Sequence, residues 1–459
     1  MPTMVSLASI FRKKLGRETG DFYCGKGIKL SDLHSSNAPI QDIYIPQKMK
    51  SMHQAIFGST GAGKSRLLFA MLRDSIRAGK NVFVLDPKPD PDLLPVIRET
   101  AAEVGREQEV IVLDAANPHR STHKLNPFSH TTTVEQVAAT VVRGIPQGGE
   151  PFFYEQAYRV ALVAIKIDQY MNMAQTGSVP TYNIRRLLEI MSYSWIKNHT
   201  QIIQHEAAFS NDSSLKNLVI LANALSELSA RKFEEVTSSL SNVLVRLGGG
   251  SVFEIIDTDD NIMLDRLLNG QGTICYLYTG SLIDPETSSV LSRVFLSMFQ
   301  SFVGKVYLEQ GRLETPFEIY VDEAAEAIYL GLETAIATSR GANVAFTLLT
   351  QSVASMDDRV GDTLRQVILD NCAVKLFMVG SDPELTGNFV SQLAGEIPAM
   401  DVMIRSGASG GSGTMLKDKR IPVLDPSAVT KLKPRQYYLF MRGNLNYVGT
   451  LPHIPGPRS

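Results

Sequence analysis

The 459-residue chain has only three cysteines, no long apolar run and almost no net charge. Cys24, Cys275 and Cys372 are too far apart in the sequence for a metal-binding spacing or a disulfide framework, which favours a reducing compartment. No stretch approaches the roughly 18 apolar residues of a membrane-spanning helix. The N-terminus also lacks the apolar length of a secretory signal. We therefore expect a cytoplasmic protein.

The balance of charge sets a further limit on partners. Lysine and arginine number 45 against 47 acidic residues, which gives a net charge of −2. A nucleic acid would then need a local basic surface, because the overall charge does not attract it. The 44% of hydrophobic residues is typical of a globular protein with a large core.

A glycine-rich stretch between an apolar run and a helical pattern is the clearest motif. Its spacing, G-x-x-x-x-G-K-S, is that of the phosphate-binding loop of P-loop NTPases, and a chance glycine turn is the alternative. The glycines permit backbone angles closed to other residues, so that loop N–H groups can point at phosphate oxygens. The loop consists of Gly58, Ser59, Thr60, Gly61, Ala62, Gly63, Lys64 and Ser65.

Two residues of this loop have predicted roles in binding Mg²⁺-ATP. Lys64 is expected to reach the β- and γ-phosphates, and Ser65 to hold Mg²⁺ through its hydroxyl. The predicted enzyme is therefore an ATPase.

A second candidate motif is the run Phe317–Glu323, a predicted strand that ends in two carboxylates. Ligands of open α/β sheets bind at the carboxyl ends of strands. We expect Asp322 to bind Mg²⁺, directly or through water, and Glu323 to take the proton of the attacking water. Asp86 and Asp114 also end predicted strands and are weaker candidates; Asp86 is expected to cap a turn or line the edge of the site.

Two further polar residues follow the acidic strand in the sequence. Gln351 ends a predicted strand, where ATPases of the RecA type place a sensor of the γ-phosphate. Arg340 is a candidate to stabilise, from a neighbouring subunit, the charge that develops during transfer. The alternatives are that Arg340 is an ordinary surface arginine and that Gln351 only satisfies its hydrogen bonds within the fold. Three other arginines are also candidates for the role of Arg340: Arg293, Arg359 and Arg365.

The periodicity predicts an α/β fold with a mostly parallel sheet and an inserted all-α domain. Residues 1–40 form an N-terminal arm or short capping strands. Residues 41–130 and 251–459 form the two parts of the nucleotide-binding domain, and residues 131–250 form the insertion. Five amphipathic helices are predicted in the insertion: Val134–Val142, Phe152–Tyr170, Tyr182–Trp195, Leu215–Leu228 and Phe233–Leu247.

The chain resembles the type IV coupling proteins, the TraD/TraG-like ATPases of conjugation in the HerA/FtsK superfamily. The resemblance implies a RecA-like P-loop fold and places the trans-acting arginine at Arg340. The matching segments run in the family's order: GSTGAGKS at 58–65, Leu85-Asp-Pro-Lys88, Leu125-Asn-Pro127, Tyr320-Val-Asp-Glu323, Ser339-Arg-Gly341, Thr350-Gln-Ser352, Leu369-Asp-Asn-Cys372 and Asp382-Pro.

The resemblance implies a hexameric DNA pump that brings a relaxase-bound strand to a type IV secretion channel. Its implied partners are DNA, single- or double-stranded, relaxosome proteins and secretion components, with a monomer as the alternative state when DNA is absent. Most members begin with transmembrane helices and this sequence shows none, so a partner is expected to provide any attachment to the inner membrane.

Three other functions remain open from the sequence. The first is a HerA/FtsK-like translocase of double-stranded DNA, and the second is a type IV secretion ATPase that moves or docks proteins. The third is a nucleotide-gated docking platform that scarcely hydrolyses ATP, which the intact Lys64, Ser65, Asp322 and Glu323 disfavour.

Overall fold

The computed structural model describes residues 20–146, 151–406 and 412–457. The first half of the predicted N-terminal arm and most of the glycine-rich segment Gly407–Gly413 lie outside these residues. None of the described helices combines the length and the apolar composition that crossing a membrane requires.

Between Gln54 and Met378 the strands are short and almost entirely buried, as expected for the core of an α/β fold. In chain order the strands of the described part are β1 (Phe22–Lys29), β2 (Gln41–Ile45), β3 (Gln54–Phe57), β4 (Asn81–Asp86), β5 (Val110–Asp114), β6 (Ile274–Tyr278), β7 (Phe317–Val321), β8 (Val344–Thr350), β9 (Val374–Met378), β10 (Glu396–Ser406), β11 (Ser412–Pro422), β12 (Gln436–Met441) and β13 (Leu445–Thr450).

The helices alternate with the strands, apart from one long helical block between β5 and β6. They are α1 (Gln47–Lys50), α2 (Lys64–Arg77), α3 (Leu93–Glu103), α4 (Val134–Val142), α5 (Pro151–Thr176), α6 (Ile184–Ile190), α7 (Tyr193–Phe209), α8 (Ser213–Ser226), α9 (Ala230–Gly248), α10 (Gly250–Ile256), α11 (Ile262–Leu268), α12 (Pro285–Glu309), α13 (Leu332–Ser339), α14 (Val353–Asn371) and α15 (Asn388–Ala394).

The chain divides into two compact units. The first comprises the described residues of segments 1–71, 349–358 and 372–456, and the second comprises those of segments 72–348, 359–371 and 457–459. Three elements, α2, β8 and α14, begin in one unit and end in the other.

The second unit contains a fully parallel sheet in the order β8-β7-β4-β6-β5. Its strands are buried on both faces, and every residue of β4 is buried. The helical block between β5 and β6 belongs to this unit. Parallel strands align their carboxyl ends at one edge, which places the residues after β4 and β7 next to each other.

The first unit contains a mainly antiparallel sheet in the order β2-β1-β13-β12-β9-β3, in which only β9 and β3 pair in parallel. The strand β1 therefore makes part of the predicted arm a capping strand, one of the two alternatives given for it. The predicted hairpin near the C-terminus is the pair β12–β13.

The α/β fold class and its RecA-like arrangement are confirmed, and the differences are local. The predicted helix Tyr182–Trp195 is wrong, because α6 ends at Ile190 and α7 starts at Tyr193. Ser192 caps α7 by accepting a hydrogen bond from the N–H of Trp195, which explains the break. Helices also continue past residue 250 as α10 and α11, and the β10–β11 ribbon had no counterpart among the predicted elements.

Candidate nucleotide-binding site

The glycine-rich loop lies in the first unit, between the end of β3 and the start of α2 at Lys64. Gly61 and Gly63 have φ angles of +80° and +110°, which side-chain-bearing residues rarely adopt. A Cβ on Gly58 would lie 2.9 Å from the Cβ of Met378, so this position also requires glycine. The loop therefore has the backbone shape that an anion-binding loop at a helix N-terminus needs.

Neighbouring strands hold the loop in place through its backbone. The N–H of Gly58 donates to the carbonyl of Thr350 at 3.2 Å, and the N–H of Ser59 donates to the carbonyl of Val379 at 2.9 Å. Gln351 directly follows Thr350 and is exposed. Gln351 is therefore the residue next to one that contacts the loop directly.

The two predicted ligand-binding side chains of the loop stand at the start of α2. Lys64 donates through its Nζ to the carbonyl of Gly58, and Ser65 is exposed in the first turn. Arg435 also belongs to this region, although the sequence does not predict it: its N–H donates to the carbonyl of Ala62 at 3.0 Å, and its own φ is +73°. Arg435 lies in the turn before β12, far from Ala62 in the sequence, so no local sequence pattern predicts this contact.

The acidic pair lies in the second unit, directly after β7. The N–H of Asp322 donates to the carbonyl of Leu85 on β4 at 3.0 Å. Glu323 adopts a left-handed backbone with φ 45° and ψ 47°, and its N–H donates to Asp322 Oδ1 at 3.0 Å. Such a conformation in a residue other than glycine carries strain and is found mostly at functional sites.

Asp86, at the end of β4, is fully buried beside this pair. Tyr276 on β6 donates to its Oδ2 at 2.7 Å, and the N–H of Lys88 donates to its Oδ1 at 3.1 Å. Burial, reinforced by the charge of Asp322, raises the pKa of Asp86 to about 7, while the Tyr276 hydrogen bond acts in the opposite direction. Asp86 therefore caps a turn, as predicted, and in addition it titrates near neutral pH.

Asp114 at the end of β5 has a purely local role. Its Oδ1 accepts hydrogen bonds from the N–H groups of Ala116 and Asn117, at 3.0 and 2.8 Å. This is a turn stabilised by an aspartate side chain.

The four arginines that are candidates to stabilise phosphoryl transfer have different surroundings. Arg340 is exposed at the end of α13 and forms no ion pair within the described part of the chain. The three competitors are engaged elsewhere. Arg293 is buried and donates to the carbonyl of Gly144, Arg359 pairs with Glu326, and Arg365 is buried and pairs with Asp362.

The predicted site residues are thus divided between the two units. The loop residues and Gln351 belong to the first unit, and Asp322, Glu323 and Arg340 belong to the second. One neighbour of the acidic pair that sequence reasoning did not assign is Lys88, whose Nζ lies 2.8 Å from Glu323 Oε1. Its only signal was its presence in the segment Leu85-Asp-Pro-Lys88.

Two family models match parts of the chain. Residues 316–434 match the model described as the TraM recognition site of TraD and TraG, and residues 28–90 match that of the HerA helicase central domain. The resemblance to TraD/TraG-like proteins of the HerA/FtsK class is confirmed. No curated protein matches the sequence.

Solved structures of coupling proteins match over nearly the whole chain. The unbound bacterial conjugative coupling protein TrwBdeltaN70 has 16% identity and a TM-score of 0.63, with 97% of each chain covered. TrwB in complex with ADP and Mg²⁺ has 16% identity and a TM-score of 0.62, covering 96% of this chain and 98% of that one. VirB4 of Thermoanaerobacter pseudethanolicus has 14% identity and a TM-score of 0.54, covering 96% and 98%. At these identities the shared feature is the fold.

Proposed function

We propose that this chain is the ATP-hydrolysing motor of a conjugation system, which delivers DNA or a relaxase–DNA complex to a type IV secretion channel. The observation that carries the proposal is the combination of a complete phosphate-binding loop with the strained carboxylate pair Asp322–Glu323. The first supplies anion-binding backbone amides, and the second supplies a metal ligand and a base. The matches to the TraM recognition site of TraD and TraG and to the HerA helicase central domain support the proposal.

The residues present fit ATP with Mg²⁺. Lys64 and the loop amides would hold the phosphates, and Ser65 and Asp322 would hold the metal. Bound Mg²⁺ neutralises phosphate charge during transfer. Glu323 orients the attacking water and accepts its proton, while Gln351 contacts the γ-phosphate region from the end of β8.

Assembly into a ring follows from the proposed role of Arg340. An exposed arginine with no carboxylate partner among the described residues is available to a neighbouring copy of the chain. Its guanidinium can bridge two phosphate oxygens of an ATP that the next subunit holds. The number of subunits comes from the family resemblance, which implies a hexamer; we propose a homo-hexamer as the active form, with a monomer in the absence of DNA.

The test is the ATPase rate of the purified protein with single-stranded DNA, with double-stranded DNA and without DNA, together with its mass in solution. The proposal expects a low basal rate, a higher rate with DNA and a larger particle under the same conditions. Hydrolysis at a rate that neither DNA form changes would overturn the DNA motor while leaving the ATPase intact.

A second candidate is a secretion ATPase that moves proteins. The match to VirB4 favours it, since that structure shares the fold over most of the chain. If this candidate is correct, DNA leaves the ATPase rate unchanged in the same experiment. Stimulation by double-stranded DNA alone would favour a HerA/FtsK-like translocase instead. The match of residues 28–90 to the HerA helicase central domain supports this alternative.

A further inference from the structure

An ion pair joins Lys88 and Glu323 at the carboxyl ends of two neighbouring parallel strands. The Nζ of Lys88 lies 2.8 Å from Oε1 of Glu323, and the side chains are 48% and 14% exposed. Their strands β4 and β7 are paired in register, with Leu85 opposite Val321. The pairing of β4 with β7 therefore brings the two residues close together, and the contact is not an incidental one between two long surface side chains.

The backbone on the lysine side is held firmly. The N–H of Lys88 donates to the buried carboxylate of Asp86, and the preceding carbonyl, that of Pro87, accepts from the N–H and the hydroxyl of Ser281 at 2.8 and 2.6 Å. Asp86 is in turn held by the hydroxyl of Tyr276. These bonds fix the position of the Lys88 Cα atom.

The backbone on the glutamate side is held as well. Glu323 has the left-handed conformation described above, and its carbonyl accepts the N–H of Glu326 at 2.9 Å to open a short 3₁₀ helix. These bonds set the position of the Cα atom. The carboxylate lies beyond three rotatable bonds, so its orientation needs a contact at its own oxygens, which the ammonium of Lys88 provides.

We propose that Lys88 is a positioning residue for the general base Glu323. The ammonium holds Oε1, which orients the carboxylate so that Oε2 accepts the proton of the attacking water. The water oxygen forms its bond to the γ-phosphorus as the bond to the ADP oxygen breaks, and the proton stays on Glu323. This inference rests on the proposed ATPase function and names the group that orients its base.

An ordinary surface ion pair is the competing explanation, and it makes a different prediction. Exposed pairs contribute little to stability, and their loss leaves a distant reaction unchanged. The pair between Arg77 and Glu103 is a matched control, because it joins α2 to α3 at 2.6 Å with the arginine 49% exposed. Arg77→Met removes a charge of the same sign and a contact of the same kind.

The experiment compares steady-state hydrolysis and ATP binding for Lys88→Met, Lys88→Arg and Arg77→Met in the full chain. A mispositioned base costs one to two orders of magnitude, so Lys88→Met is expected to lower kcat about tenfold or more. ATP binding and KM stay near wild type, because no phosphate contact is lost. Lys88→Arg keeps a cation within reach of the carboxylate and restores most of kcat, and Arg77→Met has the wild-type rate.

A double-mutant cycle with Glu323→Gln decides whether Lys88 acts through the glutamate. If it does, Lys88→Met has no further effect on the residual rate of Glu323→Gln. Equal losses in both backgrounds, an unchanged kcat in Lys88→Met, or no restoration by Lys88→Arg would each overturn the inference. A wild-type protein that does not hydrolyse ATP, or a fully active Glu323→Gln, would overturn the proposed function instead, so the two failures are distinguishable.

Discussion

The candidate functional residues of the two compact units are held by different physical means. In the first unit the loop at residues 58–65 is built from backbone: positive φ angles, amides and carbonyl contacts to Thr350 and Val379. In the second unit the site is built from side chains, with the buried Asp86, the pair Asp322–Glu323 and Lys88. In the proposed function, the loop residues of the first unit would bind the phosphates, and Glu323 of the second unit would act as the base.

The largest effect is expected from Lys64→Ala in the first unit. Loss of the charge that faces the β- and γ-phosphates should abolish hydrolysis and also weaken nucleotide binding. A fluorescent ATP analogue measures binding, and phosphate release measures turnover. Lys48→Ala, which changes an exposed lysine of α1 in the same unit, serves as the control. Unchanged turnover in Lys64→Ala would remove the basis for assigning binding to this loop.

The next largest effect is expected from Arg340→Ala in the second unit. ATP should bind normally, while hydrolysis falls by roughly a thousandfold, the lower end of what a trans-acting arginine contributes. Arg312→Ala changes another exposed arginine of this unit and should have the wild-type rate.

The same two variants can be mixed to test action in trans. A ring containing both Lys64→Ala and Arg340→Ala subunits has some junctions with an intact lysine facing an intact arginine, so activity should partly return. If mixed rings form and stay inactive, a dilution series with wild type separates action within one subunit from a need for every site to be intact.

A smaller loss, roughly a hundredfold or more, is expected from Glu323→Gln, which removes the base but keeps the shape of the side chain. Binding of ATP and Mg²⁺ should remain, which distinguishes this variant from Lys64→Ala. Glu309→Gln on α12, an exposed glutamate paired with Lys305, is the control. If nucleotide binding fell together with turnover, Glu323 would be a ligand, and the division of roles between the units would be wrong.

The last expected effect is on stability, through its dependence on pH, and not on the reaction rate. Because the folded pKa of Asp86 is raised to about 7, its contribution to stability is greatest below the unfolded value and declines as the pH rises from about 4 through 7. Asp86→Asn cannot ionise and should lack this decline, which is at most about 1.4 kcal/mol per pH unit. Urea midpoints of both proteins at several pH values, without Mg²⁺, measure it. Parallel curves would mean that Asp86 keeps an ordinary carboxylate pKa in the fold.

The sequence predicted the first half of the site better than the second, because the loop depends on consecutive residues. The spacing from Gly58 to Ser65 is itself the signal, and the strand before it and the helix after it are confirmed. Lys88 and Glu323 are 235 positions apart, and their contact depends on the pairing of β4 with β7. Neither residue's neighbours in the sequence indicate that pairing.

Burial explains the remaining differences between prediction and structure. Asp86 ends an apolar strand in the same way as Asp114, but it is completely buried, and this burial raises the pKa of Asp86. The residue pattern alone left four arginines open for the role in phosphoryl transfer, and the family resemblance favoured Arg340. Their different surroundings, buried or paired against exposed, single out Arg340.

The most direct test of the proposed motor is ATP-driven displacement of streptavidin from the biotinylated end of a DNA strand. The account predicts that wild-type protein removes streptavidin when ATP and Mg²⁺ are present, and that Glu323→Gln binds the same DNA and ATP without removing it. Wild-type protein that hydrolyses ATP faster on DNA, yet leaves streptavidin in place on single- and double-stranded substrates alike, would contradict the account.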